Sequence, residues 1–158
     1  MATIHNNLSE YDHNLVPDGE HLNIALVVAE WNEEITSALA QGAFDTLLKH
    51  NVKKGNIDIK HVPGTYELPL GAQLCLEQKK YDAVICVGSV IRGETEHFTF
   101  VCEAAAQGIK DVSIKTRKPV IFCVLTDNNI EQSRDRSGGK HGNKGVEAAI
   151  TALKMARF

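Results

Sequence analysis

Residues 83–87, AVICV, are apolar at every position. A strand built from them has no side to leave in water, so it demands cover on both faces. Residues 23–30, NIALVVAE, and 119–125, PVIFCVL, read the same way, while 56–62, NIDIKHV, alternates as an edge strand does. Helical patterns fall between these runs. After Asn32, placed to cap a helix, and with Glu33 and Glu34 in the first turn, Ile35, Leu39, Ala43 and Leu47 recur at every fourth position. A second helix is predicted from near Tyr66–Glu67 to about Lys79, with Pro69 tolerated in its first turn. A third is predicted over 95–109, turning Phe98, Val101, Ala105 and Ile109 to the sheet, with Gly108 marking its end. Residues 126–129 read as a polar turn, 130–136 as a short helix, 137–142 as a kink and 143–157 as a last amphipathic helix.

This alternation of strand and helix predicts a three-layer α/β/α sandwich around a four-stranded parallel sheet with right-handed crossovers. At 158 residues the chain is expected to form one domain, over 21–158. Residues 1–20 hold few apolar groups and read either as a disordered tail or as an arm ordered against a neighbouring subunit.

In such a sheet, ligands bind outside the carboxyl ends of the strands. That puts weight on residues 88–98, GSVIRGETEHF, directly after the apolar run. The helix that follows opens with free N–H groups and a positive dipole end, which suits a phosphate or carboxylate. Gly93 lets the backbone approach such an anion closely. His97, on the first helical turn, is either a surface histidine or a proton-transfer group, for which imidazole is suited near neutral pH. Trp31, the only tryptophan, lies at the end of the first strand among Asn and Glu. It is either a core residue or a flat ring that stacks on a ligand ring. Arg136, in RDRSGGK, is either a solvated charge or a bidentate phosphate clamp.

Other chemistries fail on spacing or composition. The glycine-rich stretch 138–145 lacks P-loop spacing, since Asn143 and Lys144 stand five positions after Gly138 and Gly139, and it lies between helices. No glycine follows the first strand as a dinucleotide fingerprint requires. Cys75, Cys86, Cys102 and Cys123 form no close pair and sit in apolar or Ala-rich surroundings, so they read as reduced, packed thiols rather than a metal cluster. No HExxH-type pair exists; His5, His13 and His21 fall in or beside the tail, and His50 and His61 read as solvated. No metal is expected. A net charge of −3 gives no reason to expect nucleic acid as a partner. No apolar run approaches the roughly 18–20 residues a membrane span needs. The N-terminal segment is polar and carries acids, so the expected location is the cytoplasm.

Taken together, WNEEIT at 31–36, VPGTYELPL at 62–70, YDAVICVGSVIRGETEHF at 81–98, PVIFCVLTDNNIEQSRDRSG at 119–138 and NKGVEAA at 143–149 closely resemble the lumazine synthase family. The resemblance covers 23–158, and the combination of motifs is far more specific than any one of them. It implies a flavodoxin-like fold and places residues as follows. Trp31 matches the aromatic that stacks on the pyrimidine, where Phe is usual. Thr65, Tyr66 and Glu67 match the segment binding the pyrimidine and its ribityl chain. Ser89, Val90 and Ile91 match the segment holding the pyrimidine edge through the backbone. Glu94 and Thr95 match the loop whose N–H groups cradle a phosphate, and Arg136 matches the phosphate-binding arginine. His97 matches the proton-transferring histidine, and Phe122 and Lys144 match site residues from the adjacent subunit. Thr65 departs from the usual Ala or Ser, Glu96 from Pro or Thr, and Cys123 from Gly.

The implied reaction condenses 5-amino-6-(D-ribitylamino)uracil with 3,4-dihydroxy-2-butanone 4-phosphate to give 6,7-dimethyl-8-ribityllumazine, the penultimate step of riboflavin biosynthesis, without metal or organic cofactor. The resemblance also implies a homopentamer with sites at subunit interfaces. The uninserted kink GGKHGN further implies an icosahedral assembly of sixty chains, with residues 1–20 as an arm along the neighbour. Two other readings remain. A sister enzyme on the same scaffold, such as an archaeal-type riboflavin synthase, is disfavoured by RGET with its following His and by the EQ…R stretch. A non-catalytic flavin-binding shell protein is disfavoured by the presence of His97, Arg136 and Lys144.

Overall fold

The computed structural model describes residues 7–158; residues 1–6 of the expected arm, His5 among them, lie outside the described residues. The strands are β1 (Ile24–Ala29), β2 (Ile57–Val62), β3 (Ala83–Ile91) and β4 (Val120–Asp127). They pair in parallel in the order β2-β1-β3-β4. The helices are α1 (Glu33–Lys49), α2 (Leu68–Gln78), α3 (His97–Thr116), α4 (Ile130–Arg136) and α5 (Lys144–Ala156). A short antiparallel hairpin, β5 (Ser137–Gly139) and β6 (Gly142–Asn143), joins the last two.

The reason β3 is apolar at every position is visible in its alternation. Ala83, Ile85 and Val87 join the core beneath α1 and α5, while Val84 and Cys86 join the core beneath α2 and α3. The sheet is thus covered on both sides, as the three-layer reading requires. The chain moves outward from β1 to β2 over one face. It returns across the other through α2 to β3, and α3 stays on that second face. Successive connections therefore diverge between β1 and β3, which opens a crevice at their carboxyl ends.

Several local expectations are corrected. Gly108 does not end α3, which runs on to Thr116 and buries Val112 in the row begun by Ala105 and Ile109. The glycine instead lets α3 approach α2, since a Cβ there would lie 2.6 Å from Cγ of Pro69. Strand β4 continues through Thr126 and Asp127, so the polar turn is two residues shorter. Residues 137–142 are a hairpin rather than a plain kink, with Gly138 and Gly142 at φ of +130° and +80°. Gly145 is there for helix packing, because a Cβ would collide with the carbonyl oxygen of Leu39 on α1.

His50, read as solvated, is only 8% exposed. The chain before β1 folds over it: the Tyr11 hydroxyl lies 3.2 Å from its Nε2, and the His13 ring stacks at 5.7 Å. Upstream, the Leu8 N–H donates to the His141 carbonyl, and the Asn143 N–H donates to the Ser9 hydroxyl. The described part of the expected arm thus makes these bonds within its own chain.

Candidate active site

The crevice between β1 and β3 holds a cleft of about 740 Å³, within the range typical of small-molecule sites. One wall is the end of β1, with Trp31 and Asn32; a second is Pro63–Gly64 and the 3-10 turn Thr65–Glu67 after β2. Ser89, Val90 and Ile91 of β3 form the floor, and Gly93, Thr95, His97, Phe98 and Val101 close it from the start of α3.

Each wall is fixed by local chemistry. The Glu30 and Trp31 N–H groups donate to the Val62 and Pro63 carbonyls, which ties the ends of β1 and β2 together. The Trp31 indole itself is 73% exposed, so it is a platform at the cleft and not a core residue. The turn at Thr65 packs tightly on β3: a Cβ on Gly88 would lie 2.8 Å from Thr65 Oγ1 and 2.9 Å from a Leu68 methyl. Thr65 is 4% and Ser89 is 1% exposed, and neither hydroxyl oxygen has a hydrogen-bond partner among the described residues. Two buried, unsatisfied hydroxyls at one site are unusual, because each carries a desolvation cost.

His97 is the first residue of α3, so a helix of 20 residues points its N-terminus at the cleft. Its backbone N–H reaches Thr95 Oγ1 at 3.4 Å. The loop before it is anchored by Arg92, whose N–H donates to the Asp127 carbonyl and whose guanidinium lies 4.2 Å above the Phe98 ring. A Cβ at Gly93 would meet nothing within 4 Å among the described residues.

Of the residues expected from sequence, the cleft gathers Trp31, Thr65, Tyr66, Glu67, Ser89, Val90, Ile91, Thr95 and His97. Glu94 lies on the same loop, exposed and outside the lining. Phe122, Arg136 and Lys144 also lie outside it. Phe122 sits opposite Cys86 on β4 and is 37% exposed. Lys144 opens α5 and pairs with Glu147 at 3.0 Å. Arg136 ends α4, where its Nη1 donates to the Gln132 carbonyl. That short helix is held at its start by the Asn129 cap and by the Ser133 hydroxyl, which donates to the Asp127 carboxylate at 2.8 Å. A bidentate Arg134–Glu34 pair joins it to α1, and the guanidinium holds the Glu34 carboxyl below its usual range.

Sequence reasoning missed Asn32, Pro63, Gly64, Phe98 and Val101 as cleft residues. Asn32 carried the one available signal: Asn is among the few non-glycine residues that tolerate a left-handed backbone, and its φ is +60°. Its side chain makes no capping bond and instead donates to the Ser89 carbonyl at 2.9 Å.

An open parallel sheet with its cleft at the switch point, lined by an exposed tryptophan and by a histidine at a helix N-terminus, defines an α/β domain of the class that holds small molecules at the carboxyl ends of its strands. The family model for 6,7-dimethyl-8-ribityllumazine synthase matches residues 21–158. Proteins of that name from Christiangramia forsetii and Parabacteroides distasonis are 57% and 52% identical to this chain over its whole length, which covers 95% and 99% of theirs. One from Flavobacterium johnsoniae is 55% identical over 99% of this chain and 82% of its own. The chain belongs to the 6,7-dimethyl-8-ribityllumazine synthase family.

Proposed function

We propose that this chain is an enzyme that condenses 5-amino-6-(D-ribitylamino)uracil with 3,4-dihydroxy-2-butanone 4-phosphate, giving 6,7-dimethyl-8-ribityllumazine, inorganic phosphate and water. The observation that carries the reading is the single cleft that sets Trp31, Thr65–Glu67 and Ser89–Ile91 against Thr95 and His97, in a chain 57% identical to a protein of that name.

The 5-amino nitrogen attacks the ketone carbon, and loss of water leaves an imine. Proton loss from the neighbouring hydroxyl-bearing carbon expels phosphate from the next one and leaves an enol, which tautomerises to a ketone; the ribityl-bearing nitrogen closes on that new carbonyl, and a second water departs. Both reactants carry their own reactivity, so no metal or organic cofactor is needed. Holding them in register supplies much of the acceleration, since effective molarities reach ~10⁵ M or more. Trp31 stacks on the pyrimidine; the Ser89–Ile91 backbone meets its edge, and the Thr65–Glu67 turn meets the ring and ribityl chain. Glu94 and Thr95 contribute N–H groups to the phosphate, and His97 carries protons during imine formation and phosphate loss.

Phe122, Lys144 and Arg136 act in a neighbour's cleft. Their positions outside the cleft of their own chain support a site completed by a second copy. The proposed assembly is a homopentamer, and twelve of these form an icosahedral shell, with 21–158 as the single domain and 1–20 as its N-terminal arm. Among the described residues no helix is long and apolar enough to cross a membrane. A cytoplasmic location is part of the reading, and the free cysteines, three of them buried, suit a reducing compartment. Nucleic acid has no role in it.

The test is to mix purified protein with both substrates and follow the fluorescent lumazine and free phosphate together. Equal amounts of each, formed faster than in protein-free solution, are expected. Product formation at the uncatalysed rate would end the proposal.

A further inference from the structure

The proposed reaction requires the stacking platform to stay at a fixed height above the β3 floor, yet little packing within its own chain holds the platform. Trp31 is 73% exposed in that chain, so there its placement depends on its backbone. On one side that backbone is held by Pro63, whose carbonyl accepts the Trp31 N–H at 3.2 Å. On the other, the ladder between β1 and β3 ends at Val28 and Val87. Past that point the two strand ends would separate into the crevice.

We infer that Asn32 is the positioning residue for this platform: its side-chain amide ties the end of β1 to the end of β3 and so fixes Trp31 over the cleft floor. This rests on the reading that Trp31 stacks on the pyrimidine. The amide Nδ2 donates to the Ser89 carbonyl at 2.9 Å, two residues beyond the last ladder pair on β3. The residue precedes α1, where an Asn side chain ordinarily accepts a hydrogen bond from a first-turn N–H. Here it makes none, and its carbonyl alone starts the helix by accepting from the Ile35 and Thr36 N–H groups. Its backbone is left-handed, at φ +60° and ψ +47°, a conformation that costs energy for a non-glycine residue and persists where the surroundings demand it. Side chain and backbone are therefore both diverted from helix capping to the crossing tie. Because the bond ends on Ser89, the same residue sets Trp31 relative to the strand that meets the ring edge.

Trp31 is the only tryptophan, so fluorescence anisotropy excited at wavelengths beyond tyrosine absorption reports on it alone. Asn32→Gly keeps the left-handed backbone at no steric cost and removes the amide. Asn32→Asp keeps the shape but aims a carboxylate at a carbonyl. Both variants are checked for folding by far-UV circular dichroism. Losing one such bond is expected to raise KM for the aminouracil about fivefold to tenfold, to leave KM for the ketone phosphate within about twofold, and to lower Trp31 anisotropy in the free protein. Folded variants with wild-type anisotropy, or with both KM values moving together, would overturn the inference. A wild-type protein that forms no lumazine while both variants lose anisotropy removes the reaction and leaves the tie standing.

Discussion

Thr65→Val should make the free protein more stable and its grip on the ring substrate weaker. Thr65 is 4% exposed, and its Oγ1 has no hydrogen-bond partner among the described residues while packing against Gly88. A buried hydroxyl left unpaired costs about 1–3 kcal/mol. Valine has the same branched outline, so a methyl takes the hydroxyl's place without opening a cavity, and the penalty disappears. The expected gain of about 1–3 kcal/mol corresponds to a rise in Tm of roughly 2–12 °C for a chain of this size. In the proposed function the bound substrate supplies the partner that the hydroxyl lacks, and a neutral hydrogen bond contributes about 0.5–1.5 kcal/mol. Thr65→Val should therefore raise KM for the aminouracil about twofold to tenfold. Thermal unfolding without ligand and steady-state kinetics with it read the two halves separately. A fall in Tm, or a KM equal to wild type, would refute the reasoning, because the hydroxyl would then be satisfied in the free protein or remote from the substrate.

Three further outcomes follow from the same geometry. Gly145→Ala pushes a methyl into the α1 backbone at Leu39 and Ala43, so the protein should lose about 3 kcal/mol or more of stability in urea unfolding. Arg136→Ala should raise KM for the ketone phosphate by roughly tenfold to 150-fold with little change in kcat, as loss of a charge-assisted bond of about 1.5–3 kcal/mol implies. Burial first, then His13 and Lys49, hold the His50 imidazole below its ordinary pKa, against a smaller opposing pull from Asp18. A depressed folded pKa means that the neutral ring stabilises the fold fully above the unfolded value of about 6.5 and ceases to do so as pH falls through the folded value. The urea midpoint should thus drop between pH 7 and 5, and His50→Gln should flatten that drop.

The layered fold was legible because the strands carry their environment in composition. An unbroken apolar run such as 83–87 admits no exposed face, and it becomes the central β3. Gly108 misled because its local meaning, a helix end, differs from its tertiary one, contact with Pro69 across the α2–α3 interface. His50 misled for a related reason: nothing near it in sequence announces that Tyr11 and His13 return to cover it. At the cleft, Trp31 after β1 and the stretch after β3 that holds Gly93 and His97 were legible from position, whereas Thr65–Glu67 after β2 were legible only through resemblance. The orphaned hydroxyls and the Asn32 tie were not, since they depend on which atoms the crevice brings together. Phe122 and Lys144 carried a signal only through resemblance, Arg136 also through its setting in RDRSGGK, and one chain leaves all three outside its own cleft.

The most direct test of catalysis in this cleft is lumazine formation by wild type and His97→Ala, with both substrates saturating. Positioning survives loss of the imidazole while proton transfer does not. The variant should therefore be slower by roughly tenfold to 10²-fold, at or below the lower end for general acid–base help, and still faster than the uncatalysed reaction. A variant as fast as wild type, or a wild type no faster than buffer, would contradict it.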